Sequence, residues 1–469
     1  MAVDRAPYIN YFESLERGSL VNDAEIPIFI GSSLKSTPTI TELEKFSKYD
    51  KVTAFDKLGA EIKFKCEKSS EIDYFSSLEE ASDKGFTPVT DSEGNPIKEV
   101  DSFVELIGDF IEENVQYGAE GINSLHFYVI DLPKTATIED ILDIIIKSKV
   151  KREATVIVLG LKDDTYVLSA KTQYKYSKTG SDPVEYKWFD ADGTHEGYTQ
   201  VLDDDEPVTR DLVKGDYNDD ETLTSTVTAI ASELNAEIIN GILRIAYFGL
   251  DKVGTDKVYT ERVSQVRDKL ARVTGASRIA MIEKPLMGKT IAKICTTEYY
   301  IEPGYEGYRS VEIGTFDEKT PELRDDLFNL GLIFNEDDYT LPEVTPRICM
   351  TTSCAWGLED ADNRRNDALI HARRNVDWQV RQILKLASPQ LKRNETSVNI
   401  AFLKTDILNH LIEQKRLGRV VDYQIAIDES NTNPFQLHIY GKMIPVNSTM
   451  AIEFSNYIGS PVIRATDLI

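Results

Sequence analysis

The chain has 469 residues, 41% of them hydrophobic and 9% aromatic, and a formal net charge of −26. That length supports several domains and a large buried core, while the acidity argues against nucleic acid or an anionic membrane as the main partner. No stretch approaches the roughly 20 apolar residues of a membrane-spanning helix, and residues 1–20 lack the basic start and apolar run of a secretory signal.

Residues 1–24 are polar with scattered aromatics and read as an arm without a core of its own. Ile26–Ser33 (IPIFIGSS) is a short apolar run ending in a turn, the pattern of a buried strand. Helical spacing follows over Val104–Asn114, a strand pattern over Leu125–Ile130, a helix over Ile138–Ile146 and a buried strand over Ala154–Gly160. Residues 161–222 change character. They carry short alternating runs such as YVLSAKTQYKY and a net charge of −9, and predict a β-rich insertion facing solvent. The earlier pattern resumes with a helix over Leu223–Leu234, a strand over Ile242–Leu250, a helix over Glu261–Thr274 and a strand over Ser277–Pro285. Residues 296–345 are aromatic, acidic and irregular and read as a second insertion. Alternating strand and helix patterns give the fold class α/β (α+β), multidomain. The expected division is an N-terminal arm (1–24), an α/β domain begun at 25–160 and continued at 223–295, outer insertions at 161–222 and 296–345, a C-terminal domain at 346–456 and a C-terminal arm at 457–469.

The C-terminal domain has the clearest pattern. A helix around Asn363–Ala387 places Leu369, Val376, Val380, Ile383 and Ala387 on one stripe, and Arg374, Arg381 and Lys385 on another face. A second helix, Ser397–Leu417, has a wider apolar arc (Leu403, Ile407, Leu408, Leu411, Ile412), with Gly418 as its stop. Three alternating strands follow, VDYQIAID, FQLHIYG and MAIEF, and predict an antiparallel sheet under the two helices. From Arg364 to Arg419 the charge is +7 against −33 for the rest of the chain. Such asymmetry points to a surface that meets something acidic. A solvated face that balances internal acids is the plainer alternative.

Motifs for chemistry are few. Gly288-Lys289-Thr290 lacks the glycine that a phosphate loop needs five residues earlier; Glu283 stands there. Asp190-Ala-Asp192-Gly193 opens like a calcium loop, but position 201 is Val where the closing glutamate belongs. The five histidines show no metal-ligand spacing. Cys66, Cys295, Cys349 and Cys354 are too few for a disulfide framework and read as free core thiols. No catalytic residue, cofactor site or metal site is expected, and the chain reads as a non-enzyme.

The order of these features resembles the contractile tail sheath family of phages, R-type tailocins and related injection machines. The resemblance rests on the double-arginine helix (Asn363–Lys385), the Asn394–Glu395 turn, the Lys415–Gly418 stop, the VVDYQIAID strand and the closing YGKMIPVNSTMAIEF. IPIFIGSS and the Phe110–Asp131 region with YGAEGINSLHFYVID add to it. It covers both ends of the chain and is weakest in the middle. It implies a structural subunit of a helical homopolymer of six-fold rings around a tail tube, contracting without nucleotide to drive the tube through a target envelope. The core would be built from both chain ends, with insertions outside and extended arms adding strands to neighbours. Strand donation would fall to Tyr8, Ile9, Tyr11 and Phe12, and to Tyr457, Ile458, Val462 and Ile463. A tube-facing basic surface would comprise Arg364, Arg365, Arg374, Arg381, Lys385, Lys415 and Arg416. Expected partners are other copies, the tail tube protein, and baseplate and tail terminator proteins, with no nucleic acid and no membrane insertion. The expected location is the tail sheath of a virion assembled in the host cytoplasm. A tube-like tail component, a nucleotide-dependent enzyme and an acidic secreted adhesin are the competing readings.

Overall fold

The structure is a computed structural model. It describes residues 25–34, 47–49, 62–69, 71–117, 127–132, 138–148, 154–160, 171–180, 184, 186–189, 195–203, 206–207, 209–212, 221–238, 241–252, 254–305, 319–338, 345–356, 368–387, 397–429, 437–445, 453–457 and 460–464.

A seven-stranded sheet forms the centre. Its strands are β1 (Ile26–Gly31), β2 (Ser47–Tyr49), β3 (Phe127–Asp131), β4 (Ala154–Gly160), β5 (Ile245–Leu250), β6 (Ile279–Glu283) and β7 (Leu332–Ile333), in the order β7-β6-β5-β4-β1-β3-β2. Neighbours run parallel except β2, which is antiparallel to β3. Parallel strands covered on both faces need apolar side chains on both, which is why IPIFIG, ATVIVLG and IAMIE are near-continuous apolar runs.

Helices α1 (Ser102–Tyr117) and α5 (Met287–Thr296) pack against each other. Helices α2 (Ile138–Lys147), α3 (Glu221–Glu237), α4 (Asp256–Leu270) and α6 (Pro321–Asn329) form a continuous row. The connections β1-α1-β3 and β3-α2-β4 run in opposite directions along the sheet, so the right-handed rule for parallel crossovers assigns α1 and α2 to opposite faces, and α5 and α6 join them by packing on α1 and α4. Under α1, the rings of Phe29, Phe110 and Phe127 meet edge to face at 5.1, 5.6 and 5.9 Å.

Several boundaries depart from the sequence pattern. Helix α4 starts at Asp256, ahead of its apolar stripe, because the Thr255 side chain caps the Val258 amide. Residues 296–345 are not wholly an insertion: Thr320 caps α6, whose Leu323 and Leu327 enter the main core, and β7 completes that edge of the sheet. Residues 62–100, expected as part of the core domain, hold a small module. In it Lys63–Lys68 and Glu71–Phe75 pair beneath the short helix Leu78–Asp83, around Cys66, Phe75, Ala81 and Phe86. The acidic segment does contain a β-sheet, in which Lys171–Lys178 pairs antiparallel with Tyr186–Phe189, Tyr198–Gln200 and Thr209–Leu212.

The C-terminal module consists of α7 (Ile370–Ala387), α8 (Ser397–Arg416), β8 (Val420–Glu429) and β9 (Leu437–Pro445). Ile383, Leu403, Ile407 and Leu411 form its core over Tyr423, Ile425, Ile439 and Met443. The apolar arc of α8 is narrower than its sequence suggests, since Ile412 is 54% exposed. A bulge between Val420 and Asp422 turns Val421 outward, off the face of Tyr423 and Ile425. The third expected strand does not extend this sheet. Glu453–Tyr457 pairs instead with Ser460–Arg464 in a separate hairpin.

Candidate functional site

A doubly wound sheet binds ligands outside the carboxyl ends of its strands, where the strand order reverses. Here that point lies between β1 and β4, which end side by side at Gly31 and Gly160. The place is filled from within. A Cβ on Gly160 would lie 2.6 Å from Phe103 Cδ2 and 2.7 Å from Leu106 Cδ2, and one on Gly31 would strike the same Phe103 ring. The two glycines admit the ring, which is fully buried. Donors in the Ser32–Leu34 turn, which in a ligand-binding fold would face an anion, are taken by the protein's own groups. Asp131 accepts from the Ser33 amide (2.8 Å) and hydroxyl (2.6 Å). Asp101 accepts from the Leu34 amide and, through its other oxygen, from the amides of Phe103 and Val104 at the start of α1.

Gly288-Lys289-Thr290 lies in the first turn of α5 and is buried. Gly288 lets α5 close onto the backbone of α1 at Leu106 and Phe110. Lys289 sits near Asp109, whose carboxyl burial pushes up to about 6 against the opposing pull of that lysine. The four cysteines are free and buried. Burial pushes the Cys295 and Cys354 thiols up, away from the reactive thiolate. Among the described residues, no group of three His, Cys, Asp or Glu side chains is placed to hold a metal, and no helix is long and apolar enough to cross a membrane.

The basic helix is where structure and spacing diverge most. Helix α7 has two working faces. One turns to the core with His371, Arg374, Asp377 and Arg381, positions three and four apart. Arg374 is 1% exposed; its Nε donates to Glu25 Oε2 at 2.7 Å and its Nη2 to the Thr297 carbonyl at 2.7 Å. Burial alone would pull this guanidinium's pKa down, but Glu25 beside it reverses the shift and holds it above the ordinary range. Arg381 Nη2 lies 3.7 Å from Glu25 Oε1. Asp377 receives both Nη groups of buried Arg278. His371 Nδ1 is 2.5 Å from Glu302 Oε2, and Glu302 Oε1 also accepts from the amide and hydroxyl of Thr351. The other face turns to α8: Gln379 meets His410 (2.8 Å) and Gln414 (3.3 Å), and Ile383 joins the module core. Arg374 therefore lies inside the subunit, a correction to its place on an open basic face. Val376 and Val380, of the apolar stripe, are only half-buried.

The remaining basic candidates are distributed as follows. Lys385 is exposed. Lys415 pairs with Asp422 at 3.1 Å, and Arg416 holds Glu413 through two bonds of 2.6 and 2.7 Å. Arg364 and Arg365 lie outside the described residues, as do Tyr8, Ile9, Tyr11, Phe12 and Ile458. Tyr457, Val462 and Ile463 occupy the terminal hairpin, where Ile463 stands opposite Phe454 and Val462 opposite Ser455. Among the described residues β8 and β9 pair only with each other. Sequence reading missed Glu25, Arg278 and Glu302, the partners of α7. Arg374 and Glu25 are 349 positions apart, and the only local trace is an acid abutting a buried strand.

No family model and no curated protein matches the chain by sequence. Solved structures do match by shape. A chain of the 6-fold symmetrised anti-feeding prophage baseplate superposes with a TM-score of 0.51 at 12% identity, covering 95% of this chain and 97% of its own. A chain of the helical sheath of the same prophage in its contracted state gives 0.50 at 12% identity, covering 94% and 97%. The contracted PVC sheath complex of an extracellular contractile injection system gives 0.50 at 11% identity, covering 94% and 95%. Over 94% of its length the chain shares the fold of the sheath proteins of contractile injection systems.

Proposed function

We propose that the protein is the structural subunit of a contractile tail sheath. It polymerises helically around a tail tube, and contraction of the polymer drives the tube through a target envelope. The observation that carries this reading is the shared fold over nearly the whole of both chains, inserts included, with two contracted sheaths. The hairpin β8–β9, which pairs with no other strand among the described residues, supports it, because strands added by a neighbour would gain backbone hydrogen bonds there. Head-to-tail contacts of this kind do not close on themselves and give open helices. The donors would be the two chain ends, with Tyr8–Phe12 and Tyr457–Ile463 supplying the strands.

The tube-facing surface in this proposal is narrower than helical spacing alone implies. Lys385, with Lys415 and Arg416 at the end of α8, remains a candidate, whereas Arg381 turns toward buried Glu25; exposed pairs contribute roughly 0–1 kcal/mol each, weak enough to break on contraction. The subunit works without catalysis, consistent with the crevice filled by Phe103. Its location would be a tail sheath joined to tube, baseplate and terminator proteins and assembled in the host cytoplasm. Negative-stain microscopy of the purified chain tests the reading. Tubes of contracted sheath at high concentration are expected; monodisperse particles at every concentration would refute it.

A further inference from the structure

Glu25 stands directly before β1 and is 5% exposed. Its carboxylate takes Arg374 on one oxygen and faces Arg381 on the other, both from α7. The main core cluster reaches α7 through Ile370, a smaller apolar cluster packs Leu369 and Ala372 against Ala276, Trp356 and Phe328, and Trp378 stacks on Tyr299 at 4.0 Å; the cluster inside the C-terminal module is separate. Beside these apolar contacts, the entry of β1 itself meets α7 by charge and hydrogen bonds. A buried ion pair contributes little net stability, yet it is unfavourable to break and demands one geometry, so its physical value is registration.

We propose that Glu25, Arg374 and Arg381 form an electrostatic clasp that locks the entry of β1 to α7, so that the point where the N-terminal segment leaves the core and the C-terminal module move as one body. The inference rests on reading the chain as a sheath subunit whose two ends reach neighbouring copies. With the clasp closed, displacement transmitted through residues 1–24 enters α7 directly as well as β1. The Thr297 carbonyl, bound by the same guanidinium, ties the end of α5 into the joint. Links to two neighbours would thus be held in fixed relation by one side-chain triad.

The test uses the full chain and the variants Glu25→Gln, Arg374→Met, their double, and the milder Arg381→Gln. Hydrogen exchange is followed over α7, β5 and β6, alongside the length of self-assembled tubes. Arg374→Met is expected to speed exchange across α7 by about tenfold or more while β5 and β6 stay protected. The double variant should recover part of that protection, since neither charge is left buried alone. Glu25→Gln and Arg381→Gln should remain folded and give shorter tubes. Unchanged exchange in α7, equal loosening of β5 and β6, a double variant as loose as the two singles summed, or full-length tubes from Glu25→Gln would each overturn the clasp. A wild-type chain that forms no tubes would refute the sheath reading and the assembly half of this proposal, while the exchange comparison would still decide whether the clasp exists.

Discussion

Phe103 shows how single residues decide what the central sheet can do. Its ring occupies the site where related sheets bind ligand, and Gly31 and Gly160 are glycines because any side chain there collides with it. Phe103→Ala should destabilise the fold by about 3–5 kcal/mol, the usual range for emptying a buried aromatic site, measured by urea unfolding. Gly160→Ala should cost about 1–3 kcal/mol by overpacking and should cost less in a Phe103→Ala background, where only Leu106 is left to yield; additive effects would contradict this packing. Asp109 offers a test by pH. Its folded pKa, about 6, is raised above the ordinary carboxylate value by burial, so the folded state binds that proton more tightly than the unfolded chain. The favourable contribution is complete below about pH 4 and is lost as pH rises through 6. The melting temperature of the wild type relative to Asp109→Asn should therefore rise as pH falls from 7 to 5. A difference independent of pH would mean that Lys289 compensates fully.

At the scale of elements, strands were legible where burial on both faces leaves only apolar letters, as in β1, β4 and β6. The sheet within residues 161–222 was legible from alternation and charge. Helix α7 was legible as a helix but not in its orientation. Its buried face is written in His, Arg and Asp, which look solvated until partners hundreds of positions away are brought to them. Edge strand β7 is two residues long, too short to carry a period. The orientation of α7 makes a sharp prediction. Asp377→Ala should destabilise by about 3–5 kcal/mol because it strands the buried Arg278 charge, whereas Lys385→Ala on the same helix should stay within about 0.5 kcal/mol. Equal, small losses in thermal unfolding would place Asp377 at the surface.

For the whole molecule, a core assembled from segments as distant as Glu25 and Arg374 requires both ends of the chain to be present before it closes. The likeness to two contracted sheath structures covers 94% of the chain. In the proposed assembly the β8–β9 hairpin is the polymer's point of growth. Removing residues 453–469 should leave the central sheet and C-terminal module folded, with unchanged circular dichroism, while sedimentation shows only single subunits. The decisive measurement is a cryo-EM reconstruction of tubes grown from the full chain. The expected map shows each β8–β9 hairpin widened by strands that trace back to two adjacent copies. A map in which those edges stay bare and the Glu453–Arg464 hairpin folds back on its own subunit would contradict the proposal at its base.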